Sequence, residues 1–206
     1  MKKKIFVTGI STDVGKTIAS AIIVEALEAD YWKPIQAGEL ENSDSHKVKN
    51  LISNGNSVIH PNSYALRTPM SPHAAAHIEG VEISIDKITE PRTKNNLVIE
   101  GAGGLLVPLN DKHTILDLMQ PTDKVIVVSR HYLGSINHTL LTVGLLKDIG
   151  RDVHILFSGK ENTYTESIIK KMSGVPVIGR IDEEQTFNKE VIASYAEKFK
   201  HTLISI

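Results

Sequence analysis

The chain contains no cysteine, which excludes disulfides, thiolate nucleophiles and cysteine-ligated zinc together. Aromatics are scarce: 5% of 206 residues, with one Trp. They show no regular interleaving with basic residues, so no nucleic-acid surface is indicated. An excess of either charge is also missing. The formal net charge of −1 leaves no electrostatic footprint for nucleic acid or an anionic membrane. No apolar run approaches the roughly 20 residues of a membrane span. Lys2-Lys3-Lys4 imitates the basic start of a signal peptide, but the apolar run after it ends at Thr8-Gly9, too short for a secretory core. The expectation is a cytoplasmic protein forming one domain over residues 1–206, a length that supports a full core.

What is present is alternation. Short runs rich in Val and Ile, mostly apolar throughout, suggest strands at Lys4–Thr8, Tyr31–Ile35, Leu97–Glu100, Lys124–Ser129, Val153–Phe157 and Val175–Gly179. Continuous apolarity is expected of strands covered on both faces. Between them lie helix candidates at Lys16–Ala29, Asp44–Ser53, Pro72–Glu79, Leu133–Ile149, Thr165–Met172 and Asn188–Phe199. The fold class expected is α/β: a doubly wound, mostly parallel sheet with helices on both faces. Right-handed crossovers bring all strand C-termini to one edge, where ligands bind. Residues 39–96 hold Pro61, Pro69, Pro72 and Pro91 and read as loops and short helices covering that edge. Leu105–Leu109 is a candidate for a short extra strand.

The strongest local signal is Gly9-Ile10-Ser11-Thr12-Asp13-Val14-Gly15-Lys16-Thr17, set between a strand and a helix. Such a turn cradles phosphate: backbone N–H groups and the helix N-terminus face the anion, the Lys reaches the outer phosphates, and the Thr is placed for Mg²⁺. The usual loop has four residues between its first Gly and the Gly-Lys pair; here five separate Gly9 from Gly15. A chance Lys-Thr in a Gly-rich turn is the plain alternative.

Four further segments carry candidate chemistry. Glu100 ends a buried strand on the phosphate-loop edge, matching the acid that holds Mg²⁺ in nucleotide hydrolases, and Gly101-Ala102-Gly103-Gly104 after it suits close backbone approach to a ligand. The plain alternative is a solvated Glu before a flexible turn. Lys33 sits inside the apolar run Tyr31-Trp32-Lys33-Pro34-Ile35; unless it snorkels from a strand edge, it needs an anion beside it to offset desolvation. Asn42-Ser43-Asp44 reads equally as a helix cap with an acid in its first turn or as a second carboxylate for Mg²⁺. The Gly134–Asn137 segment opens a long helix, as an ordinary cap or as an anion site. His73 and His77 are four apart without the Glu of a metalloprotease pattern, so no His-bound metal is expected.

Taken in order, these segments resemble the dethiobiotin synthetase family. The resemblance is carried by Val7-Thr8-Gly9…Gly15-Lys16-Thr17, Lys33-Pro34…Gly38, Asn42-Ser43-Asp44 and Thr68-Pro69-Met70-Ser71-Pro72-His73. It continues through Glu100-Gly101-Ala102-Gly103-Gly104 with Pro108-Leu109, and Leu133-Gly134-Ser135-Ile136-Asn137-His138. It spans residues 5 to about 140; later residues match in layout only. It implies a P-loop NTPase-like fold and an ATP-dependent cyclo-ligase of biotin biosynthesis, which takes 7,8-diaminopelargonic acid, CO₂ and ATP with Mg²⁺ to dethiobiotin, ADP and phosphate. It further implies that Asp13, Val14, Gly15, Lys16, Thr17 and Ile18, together with Gly101, Ala102 and Gly103, surround the nucleotide. Thr17, Asp44 and Glu100 would hold Mg²⁺. Lys33, with Lys16, would be catalytic, and Ala37 would contact substrate. Gly134, Ser135, Ile136 and Asn137 would receive the pelargonate carboxylate from the neighbouring subunit of a homodimer.

Two positions depart from the family pattern. Ala37 stands where a hydroxyl residue is usual. Ser158 replaces an Asn that reads the base, and its shorter reach leaves the base preference open. The chief rival is a partitioning-type ATPase, whose signature Lys would fall at Ser11. A cobalamin-type amidotransferase synthetase would need a nucleophilic Cys that this chain lacks. A non-catalytic nucleotide-binding module is disfavoured by the presence of Lys33, Asp44 and Glu100.

Overall fold

The structure, a computed structural model, describes residues 2–206. Strand β1 (Lys4–Gly9) is flanked by β6 (Leu97–Gly104) and β7 (Lys124–Arg130) at the centre of a seven-stranded sheet. Outward on one side lie β2 (Asp30–Trp32) and β4 (Ile59–His60); on the other lie β8 (Asp152–Ser158) and β9 (Val177–Ile181). Every pairing is parallel, which explains why the inner strands lack polar alternation. A separate two-stranded parallel ribbon pairs β3 (Ile35–Ala37) with β5 (Tyr64–Leu66).

Helices α1 (Lys16–Leu27), α2 (Asp44–Leu51) and α6 (Lys189–Ser205) pack against one another, while α4 (Ser135–Asp148) packs on α5 (Thr163–Ser173). Helix α1 is buried along most of its length, from Ala19 through Val24, because the sheet covers one side and α6 the other. A helix so enclosed has no need of a polar face. The chain winds one way from β1 through α1 to β2 and the other way from β7 through α4 to β8. β1 and β7 are adjacent, so the sheet reverses direction between them, and the loops following these two strands border the reversal point.

Five expectations require correction. The strand expected over Tyr31–Ile35 is broken: Pro34 lacks the N–H that a central ladder needs. β2 therefore stops at Trp32, and the chain re-forms as β3 in the ribbon. The stretch 39–96 contains strands β4 and β5 as well as the expected short helix α3 (Pro72–Ile78). β6 does not end at Glu100 but continues through the glycines to Gly104, which pairs with Gly9 after a register shift. Leu105–Leu109 forms no strand; it is ordered by an antiparallel bridge, Pro108 to Thr114, and by backbone bonds in which Ile115 N–H donates to the Val107 carbonyl and Leu116 N–H to the Leu105 carbonyl. Helix α6 also runs to Ser205, six residues beyond the expected end.

Candidate functional site

A cleft of about 1290 Å³ opens at the C-terminal edge of the sheet. Its walls are the loop after β1, the 33–44 segment, the 69–72 loop, the end of β6 and the loops after β7, β8 and β9. The phosphate loop ends at Gly15, the N-cap of α1, whose φ of 93° is a left-handed conformation that glycine adopts without a Cβ penalty. Lys16 is buried, and its Nζ donates to the Ser11 carbonyl at 3.0 Å. That neutral contact does not compensate burial. Desolvation pulls the Lys16 pKa down to about 8, although Glu100 opposes the shift.

Lys33 shows the opposite balance in the same cleft. It is 5% exposed, and its Nζ bonds Glu100 Oε1 at 3.1 Å and pairs with Asp44 Oδ2. Burial favours the neutral amine, but the Glu100 and then the Asp44 carboxylate outweigh it and hold the Lys33 pKa above its ordinary value. For Asp44 burial pushes upward, and the Lys33 charge more than reverses it, leaving the carboxyl below its usual range. Lys33 is therefore a fixed cation held by two carboxylates, whereas the hydrogen bond of Lys16 goes to a neutral carbonyl.

Glu100, 1% exposed, is the hub. Its Oε1 also accepts from Thr17 Oγ1 at 3.0 Å, and its Oε2 from Tyr31 Oη at 3.0 Å. Gln36 joins the Lys33 segment to α2: its Nε2 donates to the Gly38 carbonyl at 3.0 Å, and its Oε1 accepts from the Asp44 N–H at 3.3 Å. Ser43 caps α2 by accepting from the His46 N–H. Asp44 thus sits in the first turn of that helix, where its charge suits the dipole, and reaches the Lys33–Glu100 cluster as well. The reading of Asp44 as an acid in a capped first turn holds, and its contact with Lys33 keeps it beside Glu100.

Thr17, Asp44 and Glu100 offer one hydroxyl and two carboxylates around one point of the cleft. Mg²⁺ is commonly held by one or two carboxylates, with substrate phosphates and water completing the octahedron, and this donor set fits it. His73 and His77 lie apart from the cluster, and among the described residues no group of three or more His, Asp or Glu is arranged to hold a metal.

The cleft wall includes Asp13, Ile18, Ala37, Ala102, Gly103 and Ser158. Ser158 Oγ lies 3.0 Å from where a Cβ on Gly15 would stand, so it packs beneath the phosphate loop. Arg130 Nη1 donates to the Asp13 carbonyl at 3.1 Å, fastening the loop after β7 to the phosphate loop. Val14 is buried behind the loop. Gly101 has a packing reason to be glycine: a Cβ there would come within 3.0 Å of Phe6 Cε1 and 3.1 Å of Ile115 Cγ2.

Gly134, Ser135, Ile136 and Asn137 are not brought into this cleft. They form the start of α4, with Leu133 fully exposed before them and Leu141 exposed along the helix. Sequence reasoning missed Tyr31, Gln36 and Arg130. Tyr31 and Gln36 stand beside Lys33 in the chain, and a polar group next to a buried charge was the available signal.

Comparison with known proteins gives concordant results. Residues 3–191 match the family model described as an AAA domain. The chain is 60% identical over 207 residues to an ATP-dependent dethiobiotin synthetase of Christiangramia forsetii, covering all of both chains. It is 52% identical to that of Cytophaga hutchinsonii, covering 95% of this chain and 96% of the relative. Solved structures with the same fold include a plasmid partition protein from Borrelia burgdorferi, at TM-score 0.63, 15% identity and full coverage of both chains. A ParA family ATPase from Chlorobium tepidum aligns at TM-score 0.59 and 12% identity, covering 100% and 98%. Those structural likenesses show the shared P-loop ATPase fold alone. Full-length identity of this degree shows that the chain belongs to the ATP-dependent dethiobiotin synthetases.

Proposed function

We propose that residues 1–206 act as one ligase domain that converts 7,8-diaminopelargonic acid, CO₂ and ATP to dethiobiotin, ADP and phosphate. The observation that carries this reading is Lys33, a buried cation held between two carboxylates beside a phosphate loop. A partitioning-type ATPase would carry its extra cation within the phosphate loop, where this chain has Ser11; here the second cation stands after β2, where it can steady a carbamate.

In this reading one substrate amine adds to CO₂ and loses a proton, forming a carbamate. The γ-phosphoryl group of ATP passes to a carbamate oxygen, releasing ADP. The second amine attacks the resulting anhydride at carbon and expels phosphate, closing the cyclic urea. A carbamate oxygen is a poor leaving group, and phosphorylation makes it a good one. Transfer of this kind depends on positioning and charge neutralisation. Lys16 and the loop N–H groups hold the phosphates. Lys33 Nζ offsets charge on the carbamate and on the moving phosphoryl group. Thr17, Asp44 and Glu100 hold Mg²⁺, which when bound neutralises phosphate charge. Asp13, Val14, Gly15 and Ile18 flank the nucleotide with Gly101, Ala102 and Gly103. Ser158 lies on the base side, and Ala37 faces substrate.

Gly134–Asn137 do not line the cleft of their own chain, and Leu133 and Leu141 leave apolar surface uncovered beside them. This supports a homodimer in which the start of α4 serves the partner's substrate. No helix among the described residues is long and apolar enough to cross a membrane, in keeping with a cytoplasmic enzyme of small-molecule substrates.

The test is phosphate release from ATP with and without diaminopelargonate and bicarbonate. Release that requires both is expected; release indifferent to them from folded protein would overturn the reading. A pH prediction accompanies it. Lys16 titrates at about 8, and a phosphate beside Nζ raises that value, so nucleotide binding takes up a proton above pH 8. Affinity is full below that pH and falls as pH rises through it, by about tenfold per unit. Calorimetric titration with a non-hydrolysable ATP analogue between pH 7 and 9.5 measures it, and a flat profile contradicts the role of Lys16.

A further inference from the structure

We propose that Tyr31 is a positioning residue, whose hydroxyl fixes Glu100 so that one carboxylate oxygen faces the metal and phosphoryl groups. The proposal rests on the reading above that Glu100 holds Mg²⁺. Tyr31 is the middle residue of β2, fully buried, paired with Val98 on one side and Ile59 on the other. Packing alone there would be met by Phe. A buried phenol needs a partner, and Oη donates to Glu100 Oε2 at 3.0 Å.

The two oxygens of Glu100 are used unequally. Oε1 accepts from Thr17 and Lys33, groups that border the cleft and serve substrates. Oε2 accepts from Tyr31, which lies within the sheet. The cleft-side donors are engaged by ligands during turnover; the Tyr31 contact is independent of them. It blocks rotation about the terminal bond of Glu100 and keeps the same oxygen turned to the phosphate loop at every stage. Partners that orient a ligating carboxylate typically affect metal affinity or activity by about 10–100-fold when removed.

Mn²⁺ binding followed by electron paramagnetic resonance, with ADP present, tests this in wild type, Tyr31→Phe, Glu100→Gln and the double variant. Phe retains the ring that fills this place in the sheet. Expected is about a tenfold loss of Mn²⁺ affinity in Tyr31→Phe, with metal-free ADP affinity unchanged. In the Glu100→Gln background Tyr31→Phe should add nothing further. Wild-type Mn²⁺ affinity in Tyr31→Phe, with or without a lowered Tm, overturns the positioning role if Glu100→Gln weakens binding. An equal loss in the presence and absence of Glu100 overturns it too. Unchanged affinity in Glu100→Gln instead overturns the metal reading of Glu100.

Discussion

Lys33→Ala is expected to lower substrate-dependent phosphate release by about 10²–10³-fold, the usual cost of removing a preorganised donor from developing charge. The same change should destabilise the protein. Glu100 is almost completely buried and Asp44 mostly so, and without the Lys33 charge Glu100 loses its paired cation and Asp44 keeps only the more distant Lys47, at 3.8 Å. Breaking a buried ion pair by deleting one member costs about 3–5 kcal/mol, against a typical total stability of about 5–15 kcal/mol. The variant therefore stays folded at 25 °C with a lowered Tm. Mg²⁺ should raise the Tm of the variant more than that of wild type, because the ion brings positive charge back between the same two carboxylates. Steady-state kinetics and thermal melts with and without Mg²⁺ measure both effects. A loss of turnover under tenfold would remove Lys33 from the reaction.

Gly38→Ala is expected to be the most damaging single methyl group near the site. Gly38 has φ of +77°, and an added Cβ would stand 2.7 Å from Pro69 Cβ and 2.8 Å from Pro69 Cα. The left-handed backbone costs a non-glycine residue about 1–3 kcal/mol, and overpacking adds about 1–3 kcal/mol. Neither partner yields cheaply, since one is a backbone atom and the other a proline ring. The Gly38 N–H is also tied to the Leu66 carbonyl at 2.8 Å, which holds it at the end of the β3–β5 ribbon. The expected outcome is a Tm lower by roughly 4–24 °C, taking about 2–4 °C per kcal/mol for a chain of this size. The 69–72 wall should shift away from Ala37, raising KM for diaminopelargonate more than for ATP. Equal stability in Gly38→Ala and wild type would contradict the close approach of these two segments.

Legibility from sequence followed the range of the forces involved. The phosphate loop was readable because its requirements are local: glycine at a left-handed helix cap, with Lys and Thr directly after it. Lys33 was readable because a charge within an apolar run is costly without an anion, and the carboxylates appear where that argument demands. The β3–β5 ribbon was not readable. Its strands are three residues each and separated by 26 residues, and no turn signal announces a pairing so distant. The extension of β6 through Gly101–Gly104 was hidden for another reason. Glycine argues against a strand, whereas here the packed ring of Phe6 leaves no room for anything larger. Tyr31 passed as ordinary core because its partner is 69 residues away. The α4 start was readable as a motif but not as a place, since Gly134–Asn137 do not line the cleft of their own chain.

The position of β1 at the middle of the sheet also has a consequence for biosynthesis. It is made before the other strands described, and its two neighbours begin only at Leu97 and Lys124. At about 5–20 residues per second, its apolar edges wait on the order of ten seconds for partners. During that interval Ile5-Phe6-Val7 is the segment that a chaperone would be expected to guard.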